Sequence, residues 1–244
     1  MSITPDGYNK YHKYTIKVIQ QPLRARMCGF GDKDRRPIDP PPVVKLTAYD
    51  ASGQPITFNE VDASRFVVHA ALCSPDYCDR STVINPSSIP TALPAYHHAS
   101  VAIMSLNDPV KARNLVGVTV SSAYLLRDEH DELGVFFIFH ELSVRTEGRF
   151  RLRFTLVELS MNSTNTSSVI DNAYSDVFEV YSAKNFPGMT ESTELSKALA
   201  SQGIKISIRK SSRVKSNNRI GNISSTSIAS NNAGDDGFDD DDDD

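Results

Sequence analysis

RFRLRFTL, residues 149–156, alternates without a break: Phe150, Leu152, Phe154 and Leu156 fall on one side of an extended chain, Arg149, Arg151, Arg153 and Thr155 on the other. A period of two marks a strand with one face in a core and the other in water. The same alternation recurs more weakly at Tyr14, Ile16 and Val18, at Val44, Leu46 and Ala48, and at Phe66, Val68, Ala70 and Leu72. Apolar runs at Val135–Leu142 and Phe178–Tyr181 add two further candidates. Short strands separated by turn-rich segments predict an all-β domain, a β-sandwich.

One C-terminal helix is predicted over Glu191–Gln202, after the Pro187-Gly188 break. Glu191 and Glu194 complement the positive helix start, Leu195, Ala198 and Leu199 make one apolar stripe, and Gly203 stands where a cap belongs. Such a helix serves packing or dimerisation, and its stripe, added to the strand faces, suggests more apolar surface than one sandwich covers. Two stretches interrupt the pattern. Residues 74–112, with Pro75, Pro86, Pro90, Pro94 and Pro109 among serines and alanines, read as an inserted mobile loop, and Met161–Asn172 reads as a Ser/Thr/Asn loop between strands. The organisation expected is a flexible N-terminus over 1–9, a domain over 10–210 and a disordered tail over 211–244. That tail is Ser/Asn-rich and then acidic, too polar to order itself.

The 244 residues suffice for one domain with a full core plus tails. The net charge of −4 includes eight aspartates within residues 235–244, so residues 1–234 carry +4. Cations therefore act locally, and the acidic tail is a separate object that could compete with an anion for them. No run of 18 apolar residues and no hydrophobic signal core occur, which predicts an intracellular chain without a membrane span. Cys28, Cys73 and Cys78, an odd number without framework spacing, suit reduced thiols.

No catalytic constellation assembles from the residues. His130 lies among Asp128, Glu129, Asp131 and Glu132 as in a charged turn, and His140 beside Glu141 as at a strand end; HExxH, GxSxG and P-loop patterns are missing. Cys73 and Cys78 with the adjacent His97 and His98 do not match zinc spacing, so neither a metal nor another cofactor is expected. The chemistry lies instead in RARMCGFGDKDRRPIDPPP, residues 24–42, where Arg24, Arg26, Lys33, Arg35 and Arg36 face only Asp32 and Asp34 nearby. Gly29 and Gly31 permit positive φ, and Pro37, Pro40, Pro41 and Pro42 hold the exit extended. A shaped cationic loop suits phosphates, and arginine forks suit guanine edges. Arg145, Arg149, Arg151 and Arg153 could widen such a footprint, or form a solvated face. Lys205, Arg209, Lys210, Arg213 and Lys215, continued by Arg219, form a run without an acid that fits nuclear import or phosphate binding.

With YTIKVIQQP (residues 14–22) before it, the loop resembles the N-terminal signature of the velvet family of fungal regulators. RNLVG (113–117), LGVFFIFHELSVRTEGRFRLRFTLVEL (133–159) and VFEVYSAKNFPGMTESTELSKALASQGIKISIRK (177–210) extend the resemblance, most closely to the velvet B type. In that type a long insertion splits the domain where residues 74–112 stand. The resemblance implies an immunoglobulin-like β-sandwich similar to the Rel homology domain, with DNA contacted by Lys33, Arg35 and Arg36 and with Arg24 and Arg26 beside them. It implies a dimeric, non-enzymatic, sequence-specific regulator of double-stranded DNA in nucleus and cytoplasm, controlling sporulation, development and secondary metabolism. Partners implied are other velvet proteins, in homo- or heterodimers, and a methyltransferase-like regulator. The rival expectation is an interaction subunit whose partner contacts the DNA.

Overall fold

The computed structural model describes residues 13–31, 35–57, 63–86, 110–159 and 168–210. Two units divide the chain, Met1–Ser211 and Ser212–Asp244, and the second lies wholly outside the described residues.

The alternating stretch lies in the longest strand, β13 (Gly148–Glu158), where Leu152, Phe154 and Leu156 are fully buried. Its length lets it serve three neighbours. β5 (Phe66–Cys73) pairs antiparallel along one edge, with Leu152 opposite Leu72 and Phe154 opposite Ala70. The other edge is shared between β14 (Ser168–Tyr174) and β15 (Phe178–Tyr181). Between them the buried Ser175 fills the gap: its N–H donates to Leu152 O and its Oγ accepts from Leu152 N, both at 2.9 Å. β2 (Arg24–Arg26) lies parallel to β15, and β9 (Val120–Ser122) closes the far edge beside β5.

The facing sheet runs β1 (Lys13–Gln20), β3 (Val43–Tyr49), β11 (Leu133–Ile138), β10 (Tyr124–Arg127), with the short β4 (Pro55–Ile56) on β3. Inward residues of the two sheets form one core that includes Ile16, Val18, Leu46, Val68, Val135, Phe137 and the β13 side chains. Phe139 and Phe154 pack with centroids 5.1 Å apart. This is an all-β sandwich with a helix, as the alternation predicts. Two ladders complete it: β6 (Thr82–Ile84) with β7 (Lys111–Arg113), and β8 (Leu115–Val116) with β12 (Ser143–Val144).

The continuous apolar run of β11 has a different cause from the alternation elsewhere. Val135 and Phe137 face the core, whereas Phe136 and Ile138 face outward and are covered by helix α1 (Glu194–Ser201) through Leu195 and Leu199. Thr193 caps the helix by accepting from Ser196 N, and Gly203 follows the C-terminus at φ +98°. The helix stripe is thus buried within one chain, which removes that surface from the expected dimer contact. At its C-terminus Gln202 accepts from Arg127 N and donates to Arg127 O, both at 2.8 Å, so a side-chain amide closes the edge of β10.

Two loop expectations need correcting. Ser168–Asn172, read as loop, belongs to β14, because the second half of β13 offers it a full ladder. Within 74–112, both ends are paired as β6 and β7; residues 87–109 lie outside the described residues.

Gly117 follows β8 at φ +103°, and a Cβ there would overlap Glu141 O and stand 2.9 Å from the carbonyl carbon of Glu141. Gly117→Ala should therefore cost about 1 to 3 kcal/mol through strain and forced separation of two backbones. Urea denaturation measures it; an unchanged midpoint would show that this crossing is not tight.

Candidate nucleic-acid interface

The cationic loop begins as a strand and is fastened at both ends. Leu23 and Arg24 donate N–H bonds to Asp39 O, and Asp39 N returns one to Arg24 O, closing the base. On the way out Met27 N donates to Tyr181 O, Cys28 N to Val144 O and Gly29 N to Arg145 O. On the return Ile38 N donates to Leu142 O at 2.7 Å, and Ser143 Oγ donates to Arg36 O at 2.9 Å. Gly29 has φ +64°, as expected for its turn, whereas Gly31 keeps an ordinary backbone.

Arg145 braces the tip. Its Nη1 donates to Gly29 O at 2.8 Å, its Nε to Arg113 O at 2.9 Å, and its guanidinium lies over the Phe30 ring, 5.6 Å from the centroid. Cys28 beside it is half-buried, and burial pushes its thiol up while Arg145 and then Arg35 pull it back down.

The five predicted contacts are not equivalent. Arg35 and Arg36 are exposed at the loop's return, and Lys33 lies outside the described residues. Arg24 and Arg26 are half-buried on β2, flanking the fully buried Ala25. Register places Arg24, Glu179 and Arg149 in one row across β2, β15 and β13. Glu179 is a counter-charge that distance in sequence concealed. It also accepts the Tyr181 hydroxyl, which with burial holds that phenol above its ordinary range against the pull of Arg24.

One strand arginine serves the fold. Arg151 donates to Pro75 O at 3.0 Å and Ser175 O at 3.1 Å and packs over Tyr77 at 4.7 Å. Arg153 is half-buried, with its Nε enclosed. Only Arg149 among the outward arginines of β13 is exposed.

The basic run near the C-terminus also separates. Arg209 forms an ion pair with the fully buried Asp39, and its Nε donates to Thr190 O at 3.0 Å. The other Asp39 oxygen accepts from Thr190 N and Oγ1 at 2.5 and 2.6 Å. Arg209 is therefore a latch joining the loop base to the segment after α1. This departs from a solvated import signal, and the reason is a buried carboxylate 170 residues away in sequence. Lys205 and Lys210 are exposed; Arg213 and Lys215 lie outside the described residues.

The turn at Asp128–Glu132 is a charged turn, its Asp128 Oδ1 accepting from His130 N and Glu132 N. Cys28, Cys73 and Cys78 are free thiols, and His97 and His98 lie outside the described residues.

A family profile described as Velvet factor matches residues 14–213, spanning both sheets, the loop and the helix. The chain belongs to the velvet family. Among curated relatives, Velvet complex subunit RYP3 of Ajellomyces capsulatus is 34% identical over 81% of this chain and 78% of the relative. Velvet complex subunit 2 of Botryotinia fuckeliana is 32% identical, with 86% of this chain and 74% of that protein aligned. The sexual development regulator velC of Gibberella moniliformis is 38% identical over 85% of this chain but 42% of its own length. In velvet terms, the braced loop and the RNLVG segment form one structural unit: Arg113 supplies the carbonyl that Arg145 holds, Asn114 Oδ1 accepts from Thr146 N and Oγ1, and Gly117 crosses Glu141.

Proposed function

We propose that this velvet protein is a sequence-specific DNA-binding transcriptional regulator acting as a homo- or heterodimer in fungal development, sporulation and secondary metabolism. The observation that carries the reading is the exposure of Arg35 and Arg36 on a loop whose backbone is fixed at both ends and braced by Arg145. A fixed backbone reduces the entropy lost when arginines engage phosphates or guanine edges. Phosphate contacts supply most of the affinity, and a few base contacts supply the selectivity. A nuclear and cytoplasmic location accords with that reading.

A second reading has its own support. Relatives named as subunits of a velvet complex favour an interaction protein that binds other velvet proteins while its partner touches DNA; a methyltransferase-like regulator is a further candidate partner. Mobility shift of labelled duplex with purified protein, alone and with a second velvet protein, separates the two. Retardation by the protein alone is expected; retardation only with the partner present transfers the DNA contact to that partner.

A further inference from the structure

We propose that the stem of the insertion, β6 with β7, is a second DNA-contacting element, set beside the cationic loop by Arg145. The inference rests on the DNA-binding reading and extends it to residues outside the loop. Lys111 and Arg113 alternate with the half-buried Ala112, so a period of two puts both on one face, and both are exposed. Neither forms an ion pair with any described residue. Their Cα atoms, two residues apart on a strand, stand about 7 Å from each other, comparable to neighbouring phosphates along one DNA strand.

The stem is held in place. Its three register pairs continue through Asn85 N to Val110 O at 2.9 Å above and Asn114 N to Ser81 O at 2.8 Å below. Asn114 is buried, and its carbonyl accepts from Arg145 N. One guanidinium then spans both elements, bonded to Arg113 O on the stem and to Gly29 O on the loop. His69, on the outer face of β5, is held below its ordinary range by burial first and then by Arg153 and Arg113. Loop and stem are thus joined through the Arg145 guanidinium. A lysine and an arginine without acidic partners among the described residues suit sequence-independent phosphate contact.

The test is fluorescence anisotropy of the full chain on a duplex of about 25 base pairs across a sodium chloride series. Lys111→Gln with Arg113→Gln should make the logarithmic salt slope shallower by about 1.8, two contacts at roughly 0.9 each. The loss should be uniform across duplex sequences, and the melting temperature should hold because both side chains are exposed. Arg145→Lys keeps the charge but cannot span both carbonyls, so weaker binding at equal net charge is expected. Wild-type slope and affinity in the stem double variant, with a variant carrying alanine at Lys33, Arg35 and Arg36 still impaired, would overturn the stem alone. Wild-type affinity in Arg145→Lys would overturn the brace. No binding by the wild-type chain, alone or with a velvet partner, would overturn this inference and the DNA reading together.

Discussion

Replacing Lys33, Arg35 and Arg36 together with alanine should remove about 2.7 from the logarithmic salt slope of duplex binding, if each cation neutralises one phosphate at roughly 0.9 per contact. If Arg24 and Arg26 also contact phosphates, the loop's share of the wild-type slope should approach about −4.5, to which the stem adds about −1.8. The half-buried state of these two, and the Glu179 carboxylate in register with Arg24, favour a smaller contribution from β2. The triple variant should remain folded, because Arg35 and Arg36 are exposed and the loop is anchored by backbone groups, the Ser143 hydroxyl and the Arg145 guanidinium, which the variant leaves in place. A base-reading arginine would show itself differently, by a loss of about 1 to 3 kcal/mol at one base position and relaxed preference there. A folded triple variant with wild-type affinity and slope would show that the loop is not the DNA-contacting element.

The largest effect on stability is expected at Asp39. Its carboxylate has no exposure and holds Arg209 and Thr190, so Asp39→Ala strands a guanidinium and a backbone N–H at the junction of the loop base and the post-helical segment. Breaking one side of a buried ion pair costs about 3 to 5 kcal/mol. Arg209 is partly solvated, with 31% of its side chain exposed, so the lower end of that range applies. For a domain of this size that corresponds to a fall in melting temperature of about 6 to 12 °C. Differential scanning calorimetry measures it, and a shift under about 2 °C would mean that the latch contributes little. Arg209→Met is the informative companion: it removes the charge while retaining a long side chain, yet leaves the buried carboxylate without its cation, so it should also destabilise.

The contrast between these two predictions tracks what a sequence can display. Alternation over 149–156 reads directly as a strand because burial of every second residue is a local consequence of the pleat. The helix stripe at Leu195 and Leu199 is legible for the same reason. β14 is not, since Ser168–Asn172 has turn-forming composition and becomes a strand through the ladder that β13 provides. β2, β8 and β12 are too short to carry a period. In the candidate site, the density of cations between Arg24 and Arg36 is visible, as is the resemblance built on the flanking blocks. The pairing of Arg209 with Asp39, the row of Arg24, Glu179 and Arg149, and the reach of Arg145 from Gly29 to Arg113 all join residues distant in sequence. Such partners sort equal-looking arginines into those that hold the fold and those presented to solvent. Arg151 and Arg153 show the limit most plainly, since neither alternation nor charge distinguishes them from Arg149.

Backbone hydrogen exchange of the full chain, with and without a saturating duplex, tests the proposed interface most directly. The expected result is slowed exchange concentrated in the loop between Arg24 and Ile38, with a smaller effect on β7 and the Asn114–Gly117 segment, while α1 and the outer edge of β10 stay unchanged. Binding that leaves the loop amides exchanging at their free rate, or that protects only the helix side of the sandwich, would contradict the assignment of the loop as the DNA-contacting element.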